Sequence, residues 1–144
     1  MKVFLAGIIQ GSLVSADIHS QDWRQAIKDA LAEHLPQGEV YCHYSEHPNS
    51  ISYELEDIKK TFAEGNALAG DCDLLIAYCP SASMGTAIEM HEAVKNSAVV
   101  LTVSPLAANW VIRAYSDRIF ADIDELVSFI STGQVNSMLS QRGR

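Results

Sequence analysis

Short apolar runs alternate with longer amphipathic stretches along the whole chain. The first run, KVFLAGI over residues 2–8, is almost continuous in apolar side chains, the pattern of a strand covered on both faces. Residues 21–35 then carry Trp23, Ala26, Ile27, Ala30, Leu31 and His34 at three- and four-residue steps, which predicts a helix that Pro36 and Gly38 stop. A second strand is expected over 39–44. A second helix is expected over 52–69, with Leu55, Ile58, Phe62 and Ala69 turned inward. The apolar run at 74–79 predicts a third strand, Met84–Lys95 a third helix, and AVVLTVS at 98–104, ended by Pro105, a fourth strand. A short helix over 107–114, a fifth strand over 118–121 and a helix at Ile123–Ser131, with Asp122 or Asp124 near its start, complete the pattern.

Strands alternating with helices mean βαβ units and a parallel sheet. The expected fold is therefore α/β, a three-layer sandwich on a five-stranded parallel sheet, flavodoxin-like or Rossmann-like. One domain over residues 1–133 is expected, followed by a polar, mobile C-terminal tail at 134–144. In such a sheet, ligands bind beyond the carboxyl ends of the strands, where the strand order reverses. For the order 2-1-3-4-5 that crevice lies between the loops after strands one and three. Those loops are GIIQGS (residues 7–12) and PSASMG (80–85), both rich in glycine, serine and polar groups.

Composition narrows the classes. The 144 residues are 48% hydrophobic, enough for one core, and the formal charge of −8 gives no electrostatic footprint for a nucleic-acid backbone. No stretch approaches the ~20 apolar residues that span a bilayer, and the N-terminus lacks the apolar core and cleavage site of a signal peptide. This reads as a soluble cytoplasmic protein with no nucleic-acid or membrane partner. Cys42, Cys72 and Cys79 form no C-x-x-C pair and read as buried reduced thiols. His43 and His47 share a metal-like spacing, but they follow a strand and precede Pro48, so a non-helical segment without a metal is expected.

The two loops differ in what they offer. GIIQGS is neither a dinucleotide fingerprint nor a phosphate-binding P-loop, and a tight turn at a close backbone approach explains it equally well. PSASMG opens a helix, where free amides and the helix dipole favour an anion and where Ser81 and Ser83 add hydroxyls. Ser83 is also a natural helix cap, a role compatible with binding. Glu89 follows Gly85 by four residues, about one turn, with Ala87, Ile88, Met90 and Ala93 as mostly apolar neighbours. Close to a helix N-terminus its carboxylate is expected to be ionised, which suits a nucleophile.

At these residues the sequence resembles the nucleoside 2-deoxyribosyltransferase family and its nucleoside 5′-monophosphate N-glycosidase relatives. The stretches that carry the likeness are VFLAGIIQG (3–11), DCDLLIAY (71–78) and, most specifically, S-x-G-x-x-x-E in SMGTAIE (83–89). The resemblance implies that Glu89 is the nucleophile of a retaining mechanism, attacking C1′ of the sugar and expelling the base through an oxocarbenium-like transition state. The substrate site expected at the crevice is made of Gly7, Ile9, Gln10, Gly11, Ser81, Ser83, Met84 and Gly85, with His43, or Tyr41 or Tyr44 beside it, contacting the base or sugar from the end of strand two. Asn109 in SPLAANW (104–110) would come from a neighbouring subunit of a homodimer or higher oligomer, and no cofactor is implied. Ser83 stands where the transferases usually have Asp and the phosphate-binding hydrolases tend to have Ser. Phe4 stands where the family often has Tyr, and Gln10 where relatives can have Arg. The base-contacting Asp meets Glu64, Gly65 and Asn66, which leaves Asp57 or Glu64 as substitutes. Two other readings of the same crevice are a non-catalytic nucleotide or nucleotide-sugar sensor and a flavodoxin-type electron carrier.

Overall fold

A computed structural model describes residues 1–143 and gives the chain five strands in one parallel sheet, in the order β2-β1-β3-β4-β5. The strands are β1 (Lys2–Gly7), β2 (Glu39–Tyr41), β3 (Leu74–Tyr78), β4 (Val99–Val103) and β5 (Arg118–Phe120). The helices are α1 (Trp23–His34), the single turn α2 (His43–Glu46), α3 (Leu55–Gly70), α4 (Met84–Lys95), α5 (Trp110–Tyr115), α6 (Ile123–Ser131) and α7 (Gln134–Gln141). A 3-10 turn at Ser50–Ser52 leads into α3. The α/β sandwich and the strand order are those expected from the hydrophobic pattern.

The central strands β1, β3 and β4 are buried on both faces, which is why they lack polar alternation. Alternate residues divide between two cores. Val3, Leu5, Leu74, Ile76 and Leu101 pack beneath α1 and α6, whereas Phe4, Ala6, Leu75, Ala77 and Val100 pack beneath α3 and α4. Cys42, Cys72 and Cys79 are free and buried.

Three expectations are corrected. Helix α3 is turned: Thr61, Gly65 and Ala69 form its buried stripe, while Leu55, Ile58 and Phe62 are exposed. The small side chains let α3 lie close against α4, a gain that the larger apolar residues would prevent. The segment after His43 is helical for one turn, because β2 stops at Tyr41 and the amides of Ser45 and Glu46 bond back to the Cys42 carbonyl. Beyond Gly133 the chain is a helix, α7, with Val135 and Leu139 in the core.

Candidate functional site

The switch point opens as a cleft of about 380 Å³ at the carboxyl ends of β1 and β3. One wall is the turn after β1, with Gly7, Ile9, Gln10 and Gly11. Gly7 has φ +154° and Gly11 φ +58°, backbone conformations that glycine adopts without penalty. The loop is tied down from below, since Gln21 donates to the carbonyls of Ile8 (3.0 Å) and His19 (2.8 Å). The opposite wall is the first two turns of α4, with Ser83, Met84, Gly85, Thr86, Ile88 and Glu89. His43 closes one end, and Thr61, Phe62, Gly65 and Asn66 of α3 form the side that the sequence reading left unassigned.

Ser83 is the N-cap of α4. Its hydroxyl accepts from the Thr86 amide at 3.4 Å and lies 2.9 Å from the Thr86 hydroxyl. Cap and lining residue are thus the same side chain. Ser81 and Asn109 lie elsewhere. Both line a neighbouring, mainly apolar cavity of about 180 Å³ between α4 and α5, separated from the cleft by the Ser83–Met84 ridge. Asn109 caps α5 through its side-chain oxygen, and the Ser81 hydroxyl is buried without a hydrogen-bond partner among the described residues. Trp110, beside Asn109, is 85% exposed.

Glu89 is the only carboxylate among the residues that line the cleft. Burial pushes its carboxyl up to about 8, and the Arg24 guanidinium offsets part of that rise. Burial thus works against the ionised state expected from the helix dipole, and Glu89 holds its proton more tightly than an exposed glutamate does. Desolvation outweighs the dipole because Glu89 lies on the second turn, past the amides that carry the dipole's charge. His43, the other titratable lining residue, is held below its ordinary value by burial and by the nearby His47 and Arg24. The rings of His43 and His47 lie 5.0 Å apart, and His47 meets the Tyr53 hydroxyl at 3.0 Å. No group of three candidate ligands that could hold a metal ion occurs among the described residues.

Arg24 escapes sequence reasoning because an arginine in an amphipathic helix reads as a surface cation. It is only 4% exposed. Its guanidinium donates to Gln21 (2.7 Å), to the carbonyls of Leu5 (3.2 Å) and Gly7 (3.3 Å), and to Cys42 Sγ (3.5 Å), and it stacks 4.2 Å above the Trp23 ring. A signal was present in the sequence: Arg24 falls three residues before Ile27, on the inward face, where Ala26 was expected and is instead exposed.

No family model matches the chain, and no curated protein matches it. Among solved structures, the fold is similar to the 2-deoxyribosyltransferase of Bacillus psychrosaccharolyticus, with a TM-score of 0.64 and 15% identity over 88% of this chain and 90% of that one. It is similar to the CMP N-glycosidase BcmB of Clostridium botulinum, with a TM-score of 0.55 and 17% identity over 92% and 98% of the two chains. The solution structure of BlsM gives a TM-score of 0.65 at 18% identity over 99% of this chain and 94% of that one. The chain thus shares the flavodoxin-like α/β fold of these solved structures, and its own cleft lies at the topological switch point that the strand order dictates.

Proposed function

We propose that this protein is an enzyme of the nucleoside 2-deoxyribosyltransferase and nucleotide N-glycosidase kind, cleaving or transferring the N-glycosidic bond of nucleosides or nucleoside 5′-monophosphates. The observation that supports it most is the single carboxylate, Glu89, in a cleft walled by the glycine turn of β1 and the start of α4. Once ionised, Glu89 attacks C1′ of the bound sugar. The C1′–N bond breaks, its electron pair leaves with the base, which takes up a proton from water, and a glycosyl ester of Glu89 forms; water or an acceptor base then attacks C1′, gives up a proton and releases the Glu89 carboxylate, so that the configuration is retained overall. Ser83, Met84 and Gly85 hold the sugar or its 5′-phosphate at the helix start. Gly7, Ile9, Gln10 and Gly11 form the opposing wall, and His43 borders the base. The similarity to a 2-deoxyribosyltransferase and a CMP N-glycosidase supports this reading. Ser81 and Asn109 line the adjoining cavity; Ser81 thus takes no part in holding the substrate here, and Asn109 serves the site of a neighbouring subunit in a homo-oligomer.

The test is incubation with a panel of nucleosides, with and without a 5′-phosphate, followed by chromatography for free base. Base release by the wild type, lost in Glu89→Ala while ligand binding persists, supports the enzyme. Binding with no base release from any member of the panel supports the sensor reading instead. That alternative draws on Phe4, which is buried and offers no hydroxyl, and on the absence of a carboxylate at Gly65 and Asn66.

A further inference from the structure

Arg24 is a buried cation whose contacts are backbone carbonyls, an amide oxygen, a thiol and an aromatic face. Among the described residues, no carboxylate makes an ion pair with it. Buried charges are ordinarily paired, because removing an ion from water is expensive. An arginine keeps its proton even so, which makes this a fixed positive charge inside the fold. Its position is specific. The guanidinium bridges the carbonyls of Leu5 and Gly7 at the carboxyl end of β1, and Gly7 is itself a wall of the cleft that Glu89 enters from the other side. The fork is held by Gln21 below and Trp23 beside it, so the charge cannot swing away to solvent.

We propose that Arg24 is a positioning residue for the reaction at Glu89: through the β1 wall it supplies the positive charge that favours the carboxylate form on which nucleophilic attack depends. This inference rests on the glycosidic reading above. Among the described residues, Arg24 is the charged group that acts on Glu89. Cys79, just after β3, carries a thiol that burial pushes up to about 12 and so keeps neutral. From β2, Tyr41 carries a hydroxyl that burial raises above its ordinary value. His43, also a lining residue, is held below its ordinary value by burial and by His47 and Arg24. Arg24 is the one permanent cation in this set, and its charge acts across low-dielectric protein, where a charge is felt more strongly than through water. Cys42 is the other group in its reach. Burial pushes that thiol up, but hydrogen bonds from Ser45 and the charges of Arg24 and Lys28 outweigh it and bring it below its ordinary value.

The decisive measurement is the titration of Glu89 itself, followed by NMR in protein labelled at the glutamate carboxyl carbon, with the resonance assigned by Glu89→Gln. The wild type should titrate near 8. Arg24→Gln keeps a polar side chain but removes the charge, and its midpoint should rise by about one pH unit, equivalent to ~10-fold less base release at pH 7. Arg24→Lys keeps the charge without the fork and should titrate close to the wild type. If Arg24→Gln does not fold, Arg24→citrulline gives a neutral side chain of nearly the same shape. It is reached by joining a synthetic segment 1–41 to a recombinant segment beginning at Cys42, so that the full chain is rebuilt. An unmoved Glu89 midpoint in the neutral variants overturns the proposal and leaves the glycosidic reading standing. A raised midpoint in a protein whose wild type releases no base supports the Arg24–Glu89 coupling and removes the glycosidic reading.

Discussion

The indole of Trp23 lies flush against the backbone of Gly7, so that a methyl group built there would stand 2.5 Å from Trp23 Cη2 and 3.0 Å from the Tyr78 carbonyl oxygen. The same glycine has φ +154°, which a side chain rarely tolerates. Gly7 is therefore both the floor of the first loop and the point where α1 meets the sheet. Gly7→Ala should destabilise the protein by about 2–3 kcal/mol, lowering the melting temperature by roughly 5–10 °C, and should displace the loop that lines the cleft. Differential scanning calorimetry on the two proteins checks it. A melting temperature within 1 °C of wild type, a bound set here by ordinary measurement error of about that size, would contradict the packing argument.

Glu89 should make stability depend on pH in a defined window. Its folded-state value of about 8 lies above the ordinary glutamate value of 4.5, so the folded protein binds this proton more tightly than the unfolded chain. The contribution is then fully present at low pH and is lost as the pH rises toward and through about 8. Because the group keeps some solvent contact through the cleft, the loss is on the order of 2 kcal/mol rather than the whole converted shift. Glu89→Gln, which stays neutral, should be the more stable protein at pH 9 and about equal at pH 5. Urea titrations at the two pH values give the comparison, and parallel curves for both proteins would count against the buried carboxyl.

The same group sets the direction of the activity profile. A nucleophile must be ionised, so base release should climb through the Glu89 transition near pH 8, before other groups intervene. Glu89→Gln should lose activity by about 10³-fold or more at every pH, as expected when a covalent nucleophile is removed. Steady-state rates of base release between pH 5 and pH 9 test both statements. A profile that falls with rising pH across this range would assign Glu89 to acid rather than nucleophilic chemistry.

Much of the fold is legible from residue pattern because β1, β3 and β4 are buried on both faces and nothing polar interrupts them. The crevice follows from the strand order alone, and most of the loop residues expected there line it. What fails is reading direction from hydrophobicity where size decides instead. Leu55, Ile58 and Phe62 look like the inward face of α3, yet Thr61, Gly65 and Ala69 occupy it because close helix packing needs small side chains. Arg24 looks like a surface cation, and only the converging carbonyls of Leu5 and Gly7 reveal why it is buried. The proton affinity of Glu89 is misread for a related reason, since sequence places it near a helix start but cannot weigh the protein packed around it.

The helix after Gly133 should contribute to stability in spite of its polar sequence. Val135 and Leu139 are buried, and Arg142 donates to the Ala98 carbonyl at 2.7 Å and bonds to Asp117, tying the end of the chain to the starts of β4 and β5. Asp117 in turn accepts from the Val100 amide at 2.8 Å. Removing residues 134–144 should cost about 3–5 kcal/mol, mostly from the two apolar side chains, whereas Arg142→Ala alone should cost about 1 kcal/mol. Chemical denaturation separates the two effects. A truncated protein as stable as the full chain would mean that α7 only rests on the domain.

The exposed apolar side of α3 predicts an assembly. Leu55 is 61% exposed and Ile58 47%, and Met84 at the start of α4 is 83% exposed. Phe62 and Met84 line the cleft, and Leu55 and Ile58 precede Phe62 at helical spacing on α3, so a second copy seated there would cover apolar surface and close the side of the site at the same time. The protein should sediment as a dimer or larger at micromolar concentration. Leu55→Asp combined with Ile58→Asp places two charges on that face without touching the buried stripe of Thr61, Gly65 and Ala69, and should give a folded monomer. If the cleft is completed by the partner, the same double variant should also release base at least ~10-fold more slowly than the wild type, because unpaired surface at the rim raises access of water and loosens the substrate. Sedimentation velocity with parallel activity assays decides it. A wild type that is monomeric at all concentrations, or a monomeric variant with full activity, would show that the face has another use.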